Sequence, residues 1–206
     1  KDILVKSSFV SFHTTVVPPS VKIDEHNRFV VTVFTDHLCV FSVNDNTDCT
    51  LLWDMDRTKS RKIDGGTWSS WITHDHYIIA LTRKKVFIYD IFIKSLVSLG
   101  TLPSKFRCKG EYNNNTKKEE LVIFADRIWI VCNNGMVICT GRIFKRLARR
   151  HCHHNHQEGK LPILEVKKFH FIFMTKYCNS GGPCLKSNEN LLYLADGNSI
   201  KLFYCD

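Results

Sequence analysis

The sequence predicts an all-β domain made of about four similar antiparallel repeats. Composition and a recurring strand pair lead there. Of 206 residues, 44% are hydrophobic, including 14 Phe, 6 Tyr and 4 Trp. Aromatic and β-branched residues suit a pleated, half-buried surface, and apolar residues at helical spacing are scarce. The length allows one sizeable core or two small ones. No run approaches the ~20 apolar residues of a membrane-spanning helix. The start, KDILVKSSFV, lacks the apolar core and small-residue cleavage site of a signal peptide; it begins with Lys1, so a longer parent chain with a leader stays open.

The repeat is clearest in KKVFIYDIFIKSLVSLG, residues 84–100: an alternating strand, an acidic stop at Asp90, then a second apolar run. Its counterparts are HLCVFSVND (37–45), NGMVICTG (134–141) and NSIKLFYCD (198–206). Each follows another strand signal: RFVVTVFTDH, HYIIALTRK, RIWIVCNNG or LLYLADGN. The Asn-Asn-Gly and Asp-Gly-Asn junctions suit tight hairpin turns, because Gly and Asn accept positive φ. Val40, Val86, Val137 and Ile200 are then equivalent, at spacings of 46, 51 and 63. A four-stranded propeller repeat takes about 40–50 residues. The long third spacing contains FKRLARRHCHHNHQEGK (144–160), which has no strand pattern; removing it restores the period.

The expectation is therefore a β-propeller, or part of one, with four-stranded antiparallel blades. It forms a single domain over 1–206, with a basic His-rich insertion at about 144–160. GGTWSSWITHD, HYIIALTR, KKVFIYDIF and KSLVSLGTL make the second repeat. EELVIFAD, RIWIVCN, GMVICTGRI and, after the insertion, LPILEVKK make the third. FHFIFMTKYC, NLLYLAD and SIKLFYC make the last. The first begins near SFVSFHTTVV and has CTLLWDMD as its outer strand. A β-sandwich or two stacked sheets would show similar short strands. Four blades are few for a closed ring. That leaves a fragment, closure by another chain, or a small propeller.

KKVFIYDIFIKSLV resembles the third and fourth strands of a WD40 repeat, with Tyr89-Asp90 where that family has Trp-Asp. SIKLFYCD and HLCVFSVND are weaker versions. The family's Gly-His pair has no counterpart at the expected places, and Trp53-Asp54 falls one strand late. The resemblance implies a divergent WD40-like propeller and a rigid platform in a larger complex, the role some such propellers play as ubiquitin-ligase substrate receptors. It also implies that the His and Asp of blade turns make structural hydrogen bonds. His74, Asp75 and His76, and likewise Asp24, Glu25 and His26, read as such turns.

Between Arg142 and Lys160 stand Arg142, Lys145, Arg146, Arg149, Arg150 and Lys160 against Glu158, or +5 of the chain's net +9. Such a concentration suits phosphates, an acidic partner or an import receptor; the alternative is a solvated loop. Within it, IFKRLARR can form a short helix with Ile143, Phe144 and Leu147 on one side. Lys145, Arg146, Arg149 and Arg150 are the candidate binding residues. Trp68, beside Gly65-Gly66, is the tryptophan expected to be exposed to a partner, whereas Trp71 and Trp129 are expected in the core. His151, Cys152, His154 and His156 have zinc-ligand chemistry, but neighbours in one loop rarely converge tetrahedrally, and Cys178 and Cys184 lack the usual paired spacing. Nine cysteines, an odd and irregular set, favour a reducing compartment.

No Gly-rich phosphate loop or nucleophile elbow is present. The expected function is a non-catalytic protein–protein interaction platform within a complex, cytoplasmic or nuclear, without cofactor; substrate recognition is one form of that role. The alternative is a nucleic-acid-binding scaffold using the basic insertion, 142–160. An enzyme using a central pocket is the third reading, and the sequence places no acid–base cluster there.

Overall fold

The computed structural model describes residues 20–204 apart from 25, 27, 35–36, 44–48, 58–67, 83, 107–119, 133–134, 155–161, 175–183, 188–190 and 197–198. The described strands form four sheets. The first holds β1 (Ser20–Ile23), β2 (Phe29–Val33), β3 (His37–Val43) and β4 (Cys49–Asp56), each antiparallel to the next. The second repeats that meander with β5 (Ser70–His74), β6 (Tyr77–Leu81), β7 (Lys85–Asp90) and β8 (Ser95–Thr101).

The third sheet begins with β9 (Glu120–Phe124), β10 (Arg127–Val131) and β11 (Met136–Thr140). A helix, α1 (Phe144–His154), follows. Then come β12 (Leu164–Val166) and β13 (Phe169–Met174). The fourth sheet has three described strands: β14 (Cys184–Ser187), β15 (Leu191–Asp196) and β16 (Ser199–Tyr204). Described turns join β5 to β6, β7 to β8 and β9 to β10. Ala125 and Asp126, between β9 and β10, both sit at positive φ (52° and 63°), the geometry that matches the right-handed twist of a hairpin.

The meander of strands expected from the repeats is present, but two assignments change. LPILEVKK does not supply the outer strand of the third sheet. Its core, β12, pairs in parallel with β8 on the outer edge of the second sheet. The outer strand of the third sheet is β13, antiparallel to β11 from Thr140↔Phe169 to Met136↔Met174. FHFIFMTKYC therefore ends the third repeat, and β14 opens the fourth. Apolar alternation marks both segments as strands, but does not say which neighbour takes them. The start proposed for the first repeat, SFVSFHTTVV, lies outside the described residues.

Three apolar layers fill the spaces between consecutive sheets. Phe29, Val31, Leu38, Val40 and Trp53 of the first meet Ile78, Ala80, Phe87 and Tyr89 of the second. The opposite face of the second sheet, with Ile79, Leu81, Val86 and Ile88, meets Leu121, Ile128, Ile130 and Ile138 of the third. Trp129, Val131, Val137 and Cys139 then meet Leu185, Leu192 and Leu194 of the fourth. Four sheets in series rule out a two-sheet sandwich. The buried Cys39, Cys132 and Cys139 are free thiols that pack as small hydrophobes.

First strands lie side by side from sheet to sheet: β1 by β5, β5 by β9 and β9 by β14. Lys22 Nζ donates to the Trp71 carbonyl at 2.5 Å, and the Leu185 amide donates to Glu120 at 2.7 Å. Among the described residues, one face of each terminal sheet has no covering sheet. On the first, Val21, Ile23 and Leu51 are 53–57% exposed; on the fourth, Ile200 and Tyr204 are 69–70% exposed and Leu202 is 49% exposed.

The parallel strand β12 needs a close approach. A Cβ on Gly100 would stand 2.8 Å from Val166 Cβ and 3.0 Å from Phe169 Cζ. Ser98 Oγ donates to the Leu164 carbonyl at 2.6 Å in the same buried seam. Gly100→Ala should cost about 1–3 kcal/mol of stability through overpacking, seen as a lower urea midpoint at unchanged slope. A midpoint equal to the parent's would show that β12 yields freely.

Candidate functional site: a basic cleft beside the helix

The helix α1 forms where the repeat is interrupted. Lys, Arg, Leu and Ala in FKRLARR are good helix formers. Its start is held from another element. The Asp126 carbonyl accepts the Ile143 amide at 2.9 Å, and the Asp126 carboxylate accepts the Lys145 amide at 2.7 Å. A carboxylate there satisfies an orphan N–H and meets the positive end of the helix dipole. Ile143 and Leu147 are 1–2% exposed in the layer between the second and third sheets. Phe144 is half-buried, its ring 4.9 Å from His74 and 5.7 Å from Tyr77. The helical face expected from the sequence is thus present, and the start of the basic segment is structured.

This geometry divides the basic residues. Arg142, Arg146 and Arg150 are spaced by four along the helix start and helix, so they share one side. They line a cleft of about 620 Å³ with Lys167, Lys168 and His170 from the β12–β13 corner. Arg150 is half-buried and donates to the Pro162 carbonyl at 2.9 Å; the other five are exposed. Lys145 lies apart, on a smaller cavity of about 360 Å³ with His74, Asp75, His76, Tyr77 and Asp126. Arg149 is exposed and borders neither cavity. The four candidate residues therefore do not form one patch. Sequence reasoning missed Lys167, Lys168 and His170; the run KKFH carries the signal, but nothing local brings it to the helix.

Trp68 is not an exposed anchor. It is 8% exposed, with the Arg57 guanidinium 4.3 Å over its ring and Tyr89 5.8 Å away. Its backbone leads into β5, which places the indole between the first and second sheets. Trp71 and Trp129 are buried as expected. The side chains of His151, Cys152 and His154, and all of His156, lie outside the described residues. Among the described residues no group of three or more His, Cys, Asp or Glu is placed to hold a metal.

The turn residues Asp75 and His76 link blades. Asp90 is fully buried and accepts the amides of Phe92 (2.8 Å) and Ile93 (3.0 Å). Its other oxygen lies 3.4 Å from His76 Nε2. His76 Nδ1 donates to Asp75 at 2.7 Å, and Asp75 accepts from Arg28 at 2.8 Å. Arg28 also contacts buried Asp24, which takes the Phe29 amide at 2.6 Å. The chain Asp90–His76–Asp75–Arg28–Asp24 joins the second sheet to the first, and gives these turns the structural role that the resemblance implied.

The first strands of all four sheets border a further cavity of about 510 Å³, lined by Lys22, His74, Glu120 and Lys186 among others. Burial, and then the charge of Lys186, push the Lys22 ammonium below its ordinary pKa. Lys22 and Glu120 already serve backbone partners here.

No family model and no curated protein matches the chain. Solved structures do. The β-propeller domain of Nup133 from Vanderwaltozyma polyspora superposes with a TM-score of 0.50 at 10% identity, covering 95% of this chain and 59% of that one. The chain has a β-propeller fold. Hsv2 from Kluyveromyces lactis (TM-score 0.48, 8% identity, 91% of this chain, 46% of that one) and the WD40 domain of fission-yeast SCAP (0.44, 11%, 89% and 38%) are also similar. This propeller chain spans 38–59% of the length of those three structures.

Burial opposes protonation of His76, but hydrogen bonding and charge from Asp90, then Asp75, outweigh it and hold the imidazole above its ordinary pKa. The raised value means that this stabilisation is complete below the unfolded-state pKa of about 6.5. It is lost as pH rises through the folded value. The parent's melting temperature should therefore fall more between about pH 6 and pH 8 than that of His76→Gln. Equal falls would show that the imidazolium bridge contributes nothing.

Proposed function

We propose that the chain is a non-catalytic interaction platform that works inside a larger protein assembly. The carrying observation is the pair of apolar faces on the terminal sheets that no described sheet covers. Each inner sheet of this propeller buries both faces against neighbours. The terminal sheets bury one and leave Val21, Ile23 and Leu51, or Ile200, Leu202 and Tyr204, in solvent. Contiguous exposed apolar surface marks an interaction site, and the natural occupant is a sheet of a partner protein that packs as the chain's own sheets do. The use of the turn His and Asp in blade-to-blade bonds also supports a scaffold rather than bond-making chemistry.

A second reading, a nucleic-acid scaffold, is favoured by one feature. The helix carries Lys145, Arg146, Arg149 and Arg150 with no acidic residue in its first turn. That reading predicts binding that falls steeply with salt.

The platform reading is tested by light scattering and mass spectrometry of the chain purified from its natural source. The parent should hold a stoichiometric partner. Ile200→Lys/Leu202→Lys/Tyr204→Lys should release it while melting at the same temperature. A parent that runs alone, or a variant that keeps its partner, would overturn the end-face assignment.

A further inference from the structure

We infer that the cleft between α1 and the β12–β13 corner binds a peptide segment of a partner protein, one in which acidic residues flank an apolar side chain. The inference rests on the platform reading and names the chemistry of one partner contact. Three kinds of group converge there. Arg142, Arg146 and Arg150 form one wall, and Lys167, Lys168 and His170 the other. The base is apolar, with Ile143, Leu164 and Val166 contributing. Among the described residues Glu165 is the only acid on the lining, and Lys167 lies 3.8 Å from it.

Arginine and lysine across a gap recognise carboxylates by charge-assisted hydrogen bonds. An apolar base between basic walls adds a requirement that a carboxylate alone does not meet. A volume of about 620 Å³ lies in the range that encloses a few side chains. Part of the site is already ordered: Arg150 is tied to the Pro162 carbonyl, and the base belongs to the core. Preorganised walls lower the ordering cost of binding.

Nucleic acid fits less well. Among the described residues no Phe, Tyr or Trp lines the cleft to stack a base. Glu165 stands among the basic lining residues and would repel a phosphate there. The basic residues outside the cleft, Lys145 and Arg149, do not extend it into a track.

The test is fluorescence anisotropy with a short labelled peptide of glutamates around two leucines. Controls carry Gln for Glu, or Ser for Leu, and a labelled single-stranded oligonucleotide is run beside them. The acidic-apolar peptide should bind saturably, and either control should bind about tenfold more weakly. Arg142→Glu/Arg146→Glu/Lys168→Glu, all exposed positions, should weaken it about tenfold or more with the melting temperature kept. Lys145→Glu/Arg149→Glu should leave it within about twofold. Tighter binding of the oligonucleotide, indifference to the cleft reversals, or no saturable peptide binding would each overturn the proposal. The end-face variant Ile200→Lys/Leu202→Lys/Tyr204→Lys should bind the peptide normally, so failure of the cleft and failure of the platform are read separately.

Discussion

The central sheets are apolar on both faces, and the arrangement of the whole molecule follows from that constraint. In β6 all five residues, Tyr77 to Leu81, are buried, and so are the last five of β7. A sheet with one wet face alternates polar and apolar residues; these strands cannot. Ile78 and Ala80 need cover on one side, Ile79 and Leu81 on the other. Burying each Ile or Leu is worth about 1.5–3 kcal/mol, so leaving either face open would remove most of a small domain's stability. Sheets must therefore stack in series. Their twist, with first strands adjacent, turns the series into blades about a common axis. The terminal sheets show the same logic by exception. In β2, Phe29, Val31 and Val33 are buried while Val30 and Thr32, on the side away from the second sheet, are only partly covered.

Polar groups follow the same demand. Asp90 and Asp24 are 0–2% exposed, and a buried carboxylate is costly unless paired and hydrogen-bonded. Each is met by turn amides within five residues, and by a cation or imidazole beyond. Asp75 occupies a left-handed turn position, φ 50°, which Asp tolerates better than most residues. There it reaches both Arg28 and His76. Burial alone would raise its pKa; the Arg28 hydrogen bond and the His76 charge outweigh that and hold it low. The cluster looks like catalytic material in sequence, and its partners show it to be a fastening between blades.

Much of this was legible because strands and turns are local. Tyr89-Asp90 marked the end of a blade's third strand, β7, and Ile143, Phe144 and Leu147 marked the buried side of the helix. What stayed hidden depends on long-range choice. β12 and β13 both read as strands, and the groups that receive β12 on the second sheet, Gly100 and Ser98, stand over sixty residues earlier. Trp68 misled because flanking glycines suggest a loop, while its indole is captured by Arg57 and Tyr89. The basic run read as a single patch because sequence distance ignores the helical turn that places Arg142, Arg146 and Arg150 together and Lys145 elsewhere.

The cleft follows from the same crossing. If the chain after α1 had continued directly as the outer strand of the third sheet, no corner would stand opposite the helix. Because β12 first runs along β8, the chain must turn at Lys167 and Lys168 before β13 returns to β11. That turn sets two lysines and His170 across from three arginines whose helix is pinned by Asp126 and by Leu147 in the core. Like charges held at this density repel one another, and a fold gains nothing from them by itself. Core contacts to the second and third sheets, the Lys167–Glu165 pair and the Arg150 bond to Pro162 oppose that repulsion and hold the charges where the fold puts them.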